Sequence, residues 1–207
     1  MSSLKISVRK RDLEIALQAI APHPNPKVHL EQYTTPADIA ADILFSACYT
    51  YEDIRGKSVL DLGTGTGRLA IGAAILGAEQ VVGIDVDAAT VQSALSDSKR
   101  MQLKVDWVVG DIESVQDPFD TVIMNPPFGT KREHADIRFL RVALKVGKVI
   151  YSIHKSTTHS FISRWLKDAG AESEILMTTK MLIPHQYNFH HKRRHVVVVD
   201  VLRIVRG

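Results

Sequence analysis

One cysteine, Cys48, is all the thiol chemistry this 207-residue chain possesses. It excludes an internal disulfide and a cysteine-rich zinc site, and reads as a small buried apolar residue. Also lacking is any run of about 18 apolar residues, so no transmembrane helix is expected, and Met1 to Lys5 has no apolar stretch that would act as a secretory signal. Internal repeats and low-complexity segments are absent too. A cytoplasmic location is the default expectation. The ordinary balance of 45% apolar and 24% charged residues supports one folded domain over 1–207, with 1–50 as a helical extension and 51–207 as its core.

Charge is sparse in net terms but uneven. The total is +3, whereas Met1 to Asp12 carries four basic residues against one acid, and Asn188 to Gly207 carries five against one. The middle of the chain is therefore acidic. Basic ends suit an anionic partner if they meet in space, and solvated tails would look the same.

Two amphipathic stretches lead. Asp12 to Ile20 places Leu13, Leu17 and Ile20 on one helical face and stops at Pro22, Pro24 and Pro26. Thr35-Pro36 followed by Asp38 marks a second helix start with proline at its first position, continued by Ile39, Ile43 and Ala47. From Ser58 short apolar runs alternate with helix-length segments: runs at Ser58 to Gly63, Gln80 to Asp85, Val105 to Asp111, Asp120 to Asn125 and Lys148 to Ile153. The helical segments are Arg68 to Leu76, Ala88 to Arg100, His134 to Lys145 and Thr157 to Ala169. That alternation predicts parallel strands with crossover helices. Glu174 to Ile183 and His195 to Val205 have no helix between them and should pair antiparallel. The expected fold is α/β, a Rossmann-like seven-stranded, mostly parallel sheet with an antiparallel C-terminal hairpin, the outline of the class I methyltransferases, which the chain resembles from about Leu30 onward.

Asp61-Leu62-Gly63-Thr64-Gly65-Thr66-Gly67 follows the first strand and opens a helix, where glycines let backbone approach a ligand. A dinucleotide fold wants Gly-x-Gly-x-x-Gly, but Arg68 stands at the last position and the glycines run Gly63-x-Gly65-x-Gly67. Their spacing is similar to the first motif of S-adenosylmethionine enzymes. Asp85 ends the second strand, where it can accept from ribose hydroxyls, and Asp111 ends the third, where it can accept from an adenine amino group with Ile112 covering the ring.

Asn125-Pro126-Pro127-Phe128 ends the fourth strand. An exocyclic amine on a planar ring is a poor nucleophile because its lone pair is delocalised. Acceptors at the Asn125 side-chain oxygen and the Pro126 carbonyl would take its two hydrogens and free that lone pair. Pro126 and Pro127 stiffen the turn without competing amide hydrogens, and Phe128 offers a face for a flipped base. The motif points to methyl transfer onto adenine N6, and also fits guanine amines and protein glutamine.

Leu30 to Pro36, Asp120 to Lys131, Tyr151 to Ser156 and the loop Tyr187 to Lys192 closely resemble the methyltransferase-like family that forms N6-methyladenosine in small-subunit ribosomal RNA. The resemblance implies S-adenosylmethionine as cofactor, with contacts from Gln32, Thr35, Asp61, Gly63, Thr66, Gly67 and Arg68 besides the three strand-end residues. Family members often have cysteine and a small apolar residue where this chain has Thr66 and Arg68. It also implies a small zinc-binding activator protein pairing along an edge strand, here Val105, Trp107 and Val109, whose alternation equally describes a covered core face. The basic run His190-His191-Lys192-Arg193-Arg194-His195 is a candidate for RNA phosphate contacts, as are His154 and Lys155 more weakly. No metal site is expected. The alternatives are a DNA adenine or protein glutamine methyltransferase, and a non-catalytic RNA-binding scaffold that keeps the fold.

Overall fold

In the computed structural model the description covers residues 7–23, 26, 27, 32, 34–128, 135–183 and 195–206. Two helices lead, α1 (Lys10–Gln18) and α2 (Ala37–Tyr49), followed by β1 (Ser58–Leu62), α3 (Arg68–Ile75), β2 (Gln80–Asp85), α4 (Ala88–Arg100) and β3 (Asp106–Val109). The second half runs β4 (Phe119–Met124), α5 (Ala135–Val146), β5 (Gly147–Lys155), α6 (His159–Asp168), β6 (Ala171–Ile183) and β7 (His195–Arg206).

The seven strands form one sheet in the order β3-β2-β1-β4-β5-β7-β6, with β1 to β5 parallel and β7 antiparallel to both β5 and β6. Parallel strands covered on both faces are rich in apolar residues, as at Val59, Leu60 and Leu62 of β1 and Val122 to Met124 of β4. The covering is divided cleanly. Leu13, Leu17, Leu44, Leu69 and Ile71 pack with Val59, Val81 and Ile123 on one face, while Leu140, Ala143, Ile162 and Leu166 pack with Leu60, Val122, Ile150 and Leu202 on the other. Crossovers β1-α3-β2 and β2-α4-β3 step outward in one direction, and β4-α5-β5 steps outward in the other. The chain reverses between β1 and β4, so a crevice opens at their carboxyl ends, the place where open α/β sheets bind ligands.

Several boundaries differ from the sequence reading: β3 is shorter than Val105 to Asp111 and β6 begins at Ala171, and the two leading helices differ for reasons visible in their contacts. Helix α1 starts at Lys10, since Arg9 Nε and Nη2 reach Asp12 at 2.7 and 2.8 Å and steady the first turn. Helix α2 starts at Ala37 with Pro36 as its N-cap and no side-chain cap, because the Thr35 hydroxyl is engaged elsewhere. Cys48 is buried at 5% exposure with its Sγ toward the Leu76 carbonyl, a packing role. Among the described residues no helix is long and apolar enough to cross a membrane.

The leading helix belongs to the core, since Leu13 and Leu17 have no exposure at all. Leu17→Ala is therefore expected to lower the unfolding free energy by about 3 kcal/mol, the cost of a cavity that its neighbours cannot fill. Urea denaturation followed by circular dichroism measures it, and a loss below about 0.5 kcal/mol would mean that α1 is merely appended.

Candidate functional site

Beneath the glycine loop lies Asp61, 1% exposed. Its Oδ2 accepts from the Thr64 hydroxyl at 2.6 Å and from the Ala70 amide at 2.9 Å, so one carboxylate oxygen sets both the loop and the first turn of α3. Burial pushes this carboxyl up to about 7 against the lowering effect of those two bonds. The Gly63 and Thr64 amides both donate to the Ile84 carbonyl at 2.9 Å, anchoring the loop to the end of β2.

The glycines are needed for space as well as backbone angle. Gly67 caps α3 in the left-handed region at φ 78°, and a Cβ there would lie 2.4 Å from the Trp107 ring and 2.8 Å from Ala94 Cβ. Trp107 also sits against Gly83 and donates through Nε1 to Ser98 Oγ at 3.0 Å. The alternation along β3 is thus a covered core face at Val105 and Trp107, while Val108 and Val109 are 40% and 54% exposed. Thr66, 3% exposed, turns its side chain inward.

Asp85 closes β2. Its Oδ2 accepts from the Gly65 amide and its Oδ1 from the Asp87 amide, both at 2.9 Å, leaving acceptor capacity on each oxygen. Burial pushes its carboxyl up. At the third strand end, Asp111 Oδ1 accepts from the Glu113 amide at 2.9 Å and pairs with Arg138, which holds its carboxyl below the usual range. Ile112 is 3% exposed in the core beside it. Helix α5 supplies two residues that no motif announced: Arg138, whose Nε also meets Glu113 Oε1 at 2.8 Å, and Phe139, whose ring would lie 2.6 Å from a Cβ on Gly63. Nothing in the sequence connects α5 with the glycine loop, because only the fold brings them together.

The segment before α2 is bound across this edge. Gln32 Nε2 donates to Asp87 Oδ2 at 3.0 Å and its Oε1 accepts from the Lys27 amide at 2.8 Å, while Lys27 Nζ meets the same Asp87 oxygen at 3.0 Å. Asp87, at the N-cap of α4, was detectable as an aspartate immediately before a helix. Arg68 leaves the loop altogether. Its Nη1 donates to the Thr35 carbonyl at 2.6 Å and its Nη2 to the Ile20 carbonyl at 3.4 Å.

Asn125 follows β4 at the crevice. Its Nδ2 donates to Thr35 Oγ1 at 3.0 Å, and its Oδ1 is buried with no hydrogen-bond partner among the described residues. Pro126 and Pro127 continue the turn, and Phe128, 8% exposed, carries the Lys155 ammonium 5.5 Å from its ring centroid. His154 is no surface contact: it is 2% exposed, its Nε2 lies 2.7 Å from Ser152 Oγ, and burial pushes it down to about 4, which keeps it neutral. The basic run His190 to Arg194 lies outside the described residues, as does Tyr33.

The buried Asp61 generates a pH prediction. Its folded value of about 7 exceeds the unfolded value of 3.8, so its stabilising contribution is complete below about pH 4 and is lost as pH rises toward 7. Asp61→Asn mimics the protonated acid. The stability difference, variant minus wild type, should therefore grow by up to about 4 kcal/mol between pH 4 and pH 7.5. Denaturant melts at the two pH values decide, and a constant difference would contradict this account of Asp61.

With that geometry established, the relatives fall into place. The family model described as the methyltransferase small domain matches residues 34–147. The rRNA N(6)-adenosine-methyltransferase Mettl5 of Drosophila melanogaster is 38% identical, covering 100% of this chain and 99% of its own, and the METTL5 enzyme of Danio rerio is 36% identical over 95% and 98%. A Pyrococcus horikoshii structure, assigned provisionally to the RNA methyltransferases, superposes with a TM-score of 0.89 at 40% identity, over 97% of this chain and 99% of that one. The chain belongs to the methyltransferase small domain family, as a class I, S-adenosylmethionine-dependent methyltransferase.

Proposed function

We propose that this protein methylates adenine N6 in ribosomal RNA, with small-subunit RNA as its substrate. One observation carries the chemistry: Asn125 Oδ1 is a buried acceptor without a partner among the described residues, at the carboxyl end of β4 beside the glycine loop. Leaving such an atom unpaired costs about 1–3 kcal/mol, which an incoming amine hydrogen relieves. The choice of RNA rests on the whole-length likeness to the Mettl5 enzymes, whose names give ribosomal RNA adenosine as their substrate. The small-subunit assignment rests on the motif resemblance.

The residues at the strand ends fit the cofactor. A Cβ on Gly65 would meet nothing within 4 Å, so the loop faces open space, and Asp85 and Asp111 each retain acceptor capacity at the edge of that space. In this reading Asp85 holds the ribose, Asp111 and Ile112 hold the adenine, and Gly63 to Gly67 lie along the remainder. Asp61 and Thr66 act from beneath the loop. Gln32 and Arg68 act by fixing the segment that precedes α2. S-adenosylmethionine supplies an electrophilic methyl group.

The chain's own contribution is positioning and polarity. Asn125 Oδ1 and the Pro126 carbonyl accept the two amine hydrogens, directing the nitrogen lone pair outward. Phe128, packed into the core at 8% exposure with Lys155 over its ring, would meet the base only along its exposed edge, with that ammonium moved aside toward phosphate. The methylated nitrogen bears a positive charge and releases its proton to water, so no strong base is needed. The outermost strand β3, with Val108 and Val109 exposed, is where an accessory protein would pair along the sheet edge.

Tritiated S-adenosylmethionine and small-subunit RNA lacking the modification test the assignment, with any accessory protein supplied. Wild type should label one adenine, and Asn125→Ala should lower kcat by about 1000-fold while cofactor affinity stays within a few-fold. No label in RNA ends the proposal. Label in duplex DNA or a glutamine peptide alone would redirect it, and RNA binding indifferent to Asn125→Ala without cofactor binding would leave a scaffold.

The basic run supports a second expectation. Arg193→Ala with Arg194→Ala should reduce the slope of log affinity against log salt by about 1–2 without changing the target adenine. Filter binding across a salt series reads this directly, and an unchanged slope would remove the run from the RNA interface.

A further inference from the structure

A carboxamide has two ends of nearly equal size and opposite hydrogen-bonding sense, so its shape does not decide which end faces a substrate. At Asn125 the end carrying Nδ2 meets Thr35 Oγ1 at 3.0 Å, and Oδ1 is left buried without a partner among the described residues. A hydroxyl both accepts and donates. An amine entering the site, however, presents hydrogens, so only the orientation with Oδ1 inward satisfies it, and Thr35 then has to be the acceptor. Thr35 is 6% exposed and does not cap α2, the ordinary use of a threonine at that position.

Its backbone is fixed independently. The Arg68 guanidinium donates to the Thr35 carbonyl at 2.6 Å and, at 3.4 Å, to Ile20, the residue that ends the leading segment. Arg68 is the first residue of α3, directly after Gly67 of the loop. A continuous path therefore runs from the glycine loop through Arg68 and Thr35 to the Asn125 amide. Its three members are separated by 33 and 90 residues in sequence, so no motif spacing records it.

We propose that Thr35 is a positioning residue for methyl transfer, its hydroxyl holding the Asn125 carboxamide with the oxygen toward the substrate amine and its backbone locked by Arg68. The proposal rests on the N6-adenine reading and adds to it a role distinct from the cofactor contact that the family resemblance implies for Thr35. A cofactor contact acts on affinity. An amide holder acts on the rate once both substrates are bound, because misaligned acceptors leave the nitrogen lone pair conjugated.

The two roles separate in Thr35→Val, which keeps the shape and removes the hydroxyl. We expect kcat at saturating cofactor and RNA to fall by about 10- to 100-fold, cofactor Kd by calorimetry to stay within threefold, and Thr35→Ser to recover most of the lost rate. Thr35→Ala serves if the valine variant fails to fold. A loss of activity that saturating cofactor restores would assign Thr35 to the cofactor and overturn the proposal, as would an undiminished kcat. A second readout needs no turnover: the two Asn125 Nδ2 protons, resolved by nuclear magnetic resonance, should shift and exchange faster with solvent in the valine variant. If wild type proves inactive on RNA, the function assignment fails and this readout still decides about Thr35, with unchanged Asn125 signals excluding the bond.

Discussion

A carboxyl group set beneath a peptide loop must collect donors or give up its charge, and Asp61 does some of each. The Thr64 hydroxyl and the Ala70 amide converge on one of its oxygens, and burial still raises its affinity for a proton. Because those donors belong to the loop and to the first turn of α3, a single oxygen fixes where β1 ends, how the chain turns and how the helix begins. The rest of the loop is built outward from that point. Gly65 donates to Asp85, Gly63 is roofed by Phe139, and Gly67 rests on Trp107. A loop held this closely from below presents its backbone in one conformation, which is how a site acquires order before any ligand arrives.

The sheet supplies the second constraint. Reversal of strand order between β1 and β4 brings Asn125 beside the glycine loop, although some sixty residues separate them. The two faces of the sheet are covered by different helices, so the loop is organised from the α3 face and the tetrapeptide is followed by a helix on the α5 face. Arg138 and Phe139 then return from α5 to Asp111 and to Gly63 of the loop. The site is closed by contacts that cross the switch point in both directions.

Much of this was legible from sequence because local rules and global fold agree. The apolar runs at Gln80 to Asp85 and the segment Ala88 to Arg100 have the observed bounds, since a strand-end aspartate and an N-cap aspartate punctuate them. The antiparallel pairing of β6 and β7 followed from the missing helix. What sequence does not contain is side-chain direction. Arg68 follows the loop yet points away to two carbonyls, Gln32 secures Asp87, and His154 ends a strand inside the protein although its position suggested a surface. Thr35 has the sequence position of a helix start, yet a more distant amide claims its hydroxyl. Each departure has one cause: a polar side chain near a crevice takes the nearest buried partner, and that partner is supplied by tertiary structure.

The Arg68 guanidinium has a bearing on how this protein tolerates change in length. By grasping the carbonyls of Ile20 and Thr35 together, it pins both ends of the intervening segment to one point on α3. Between those ends Lys27 and Gln32 both hold Asp87, so a change in length is cheap only where it spares these two contacts, even though loop entropy itself rises only with the logarithm of length. The stretch from Ile20 to Thr35 is therefore tied at both ends to α3 and within its length to the N-cap of α4, so a change of length beside Lys27 or Gln32 is felt at Asp87.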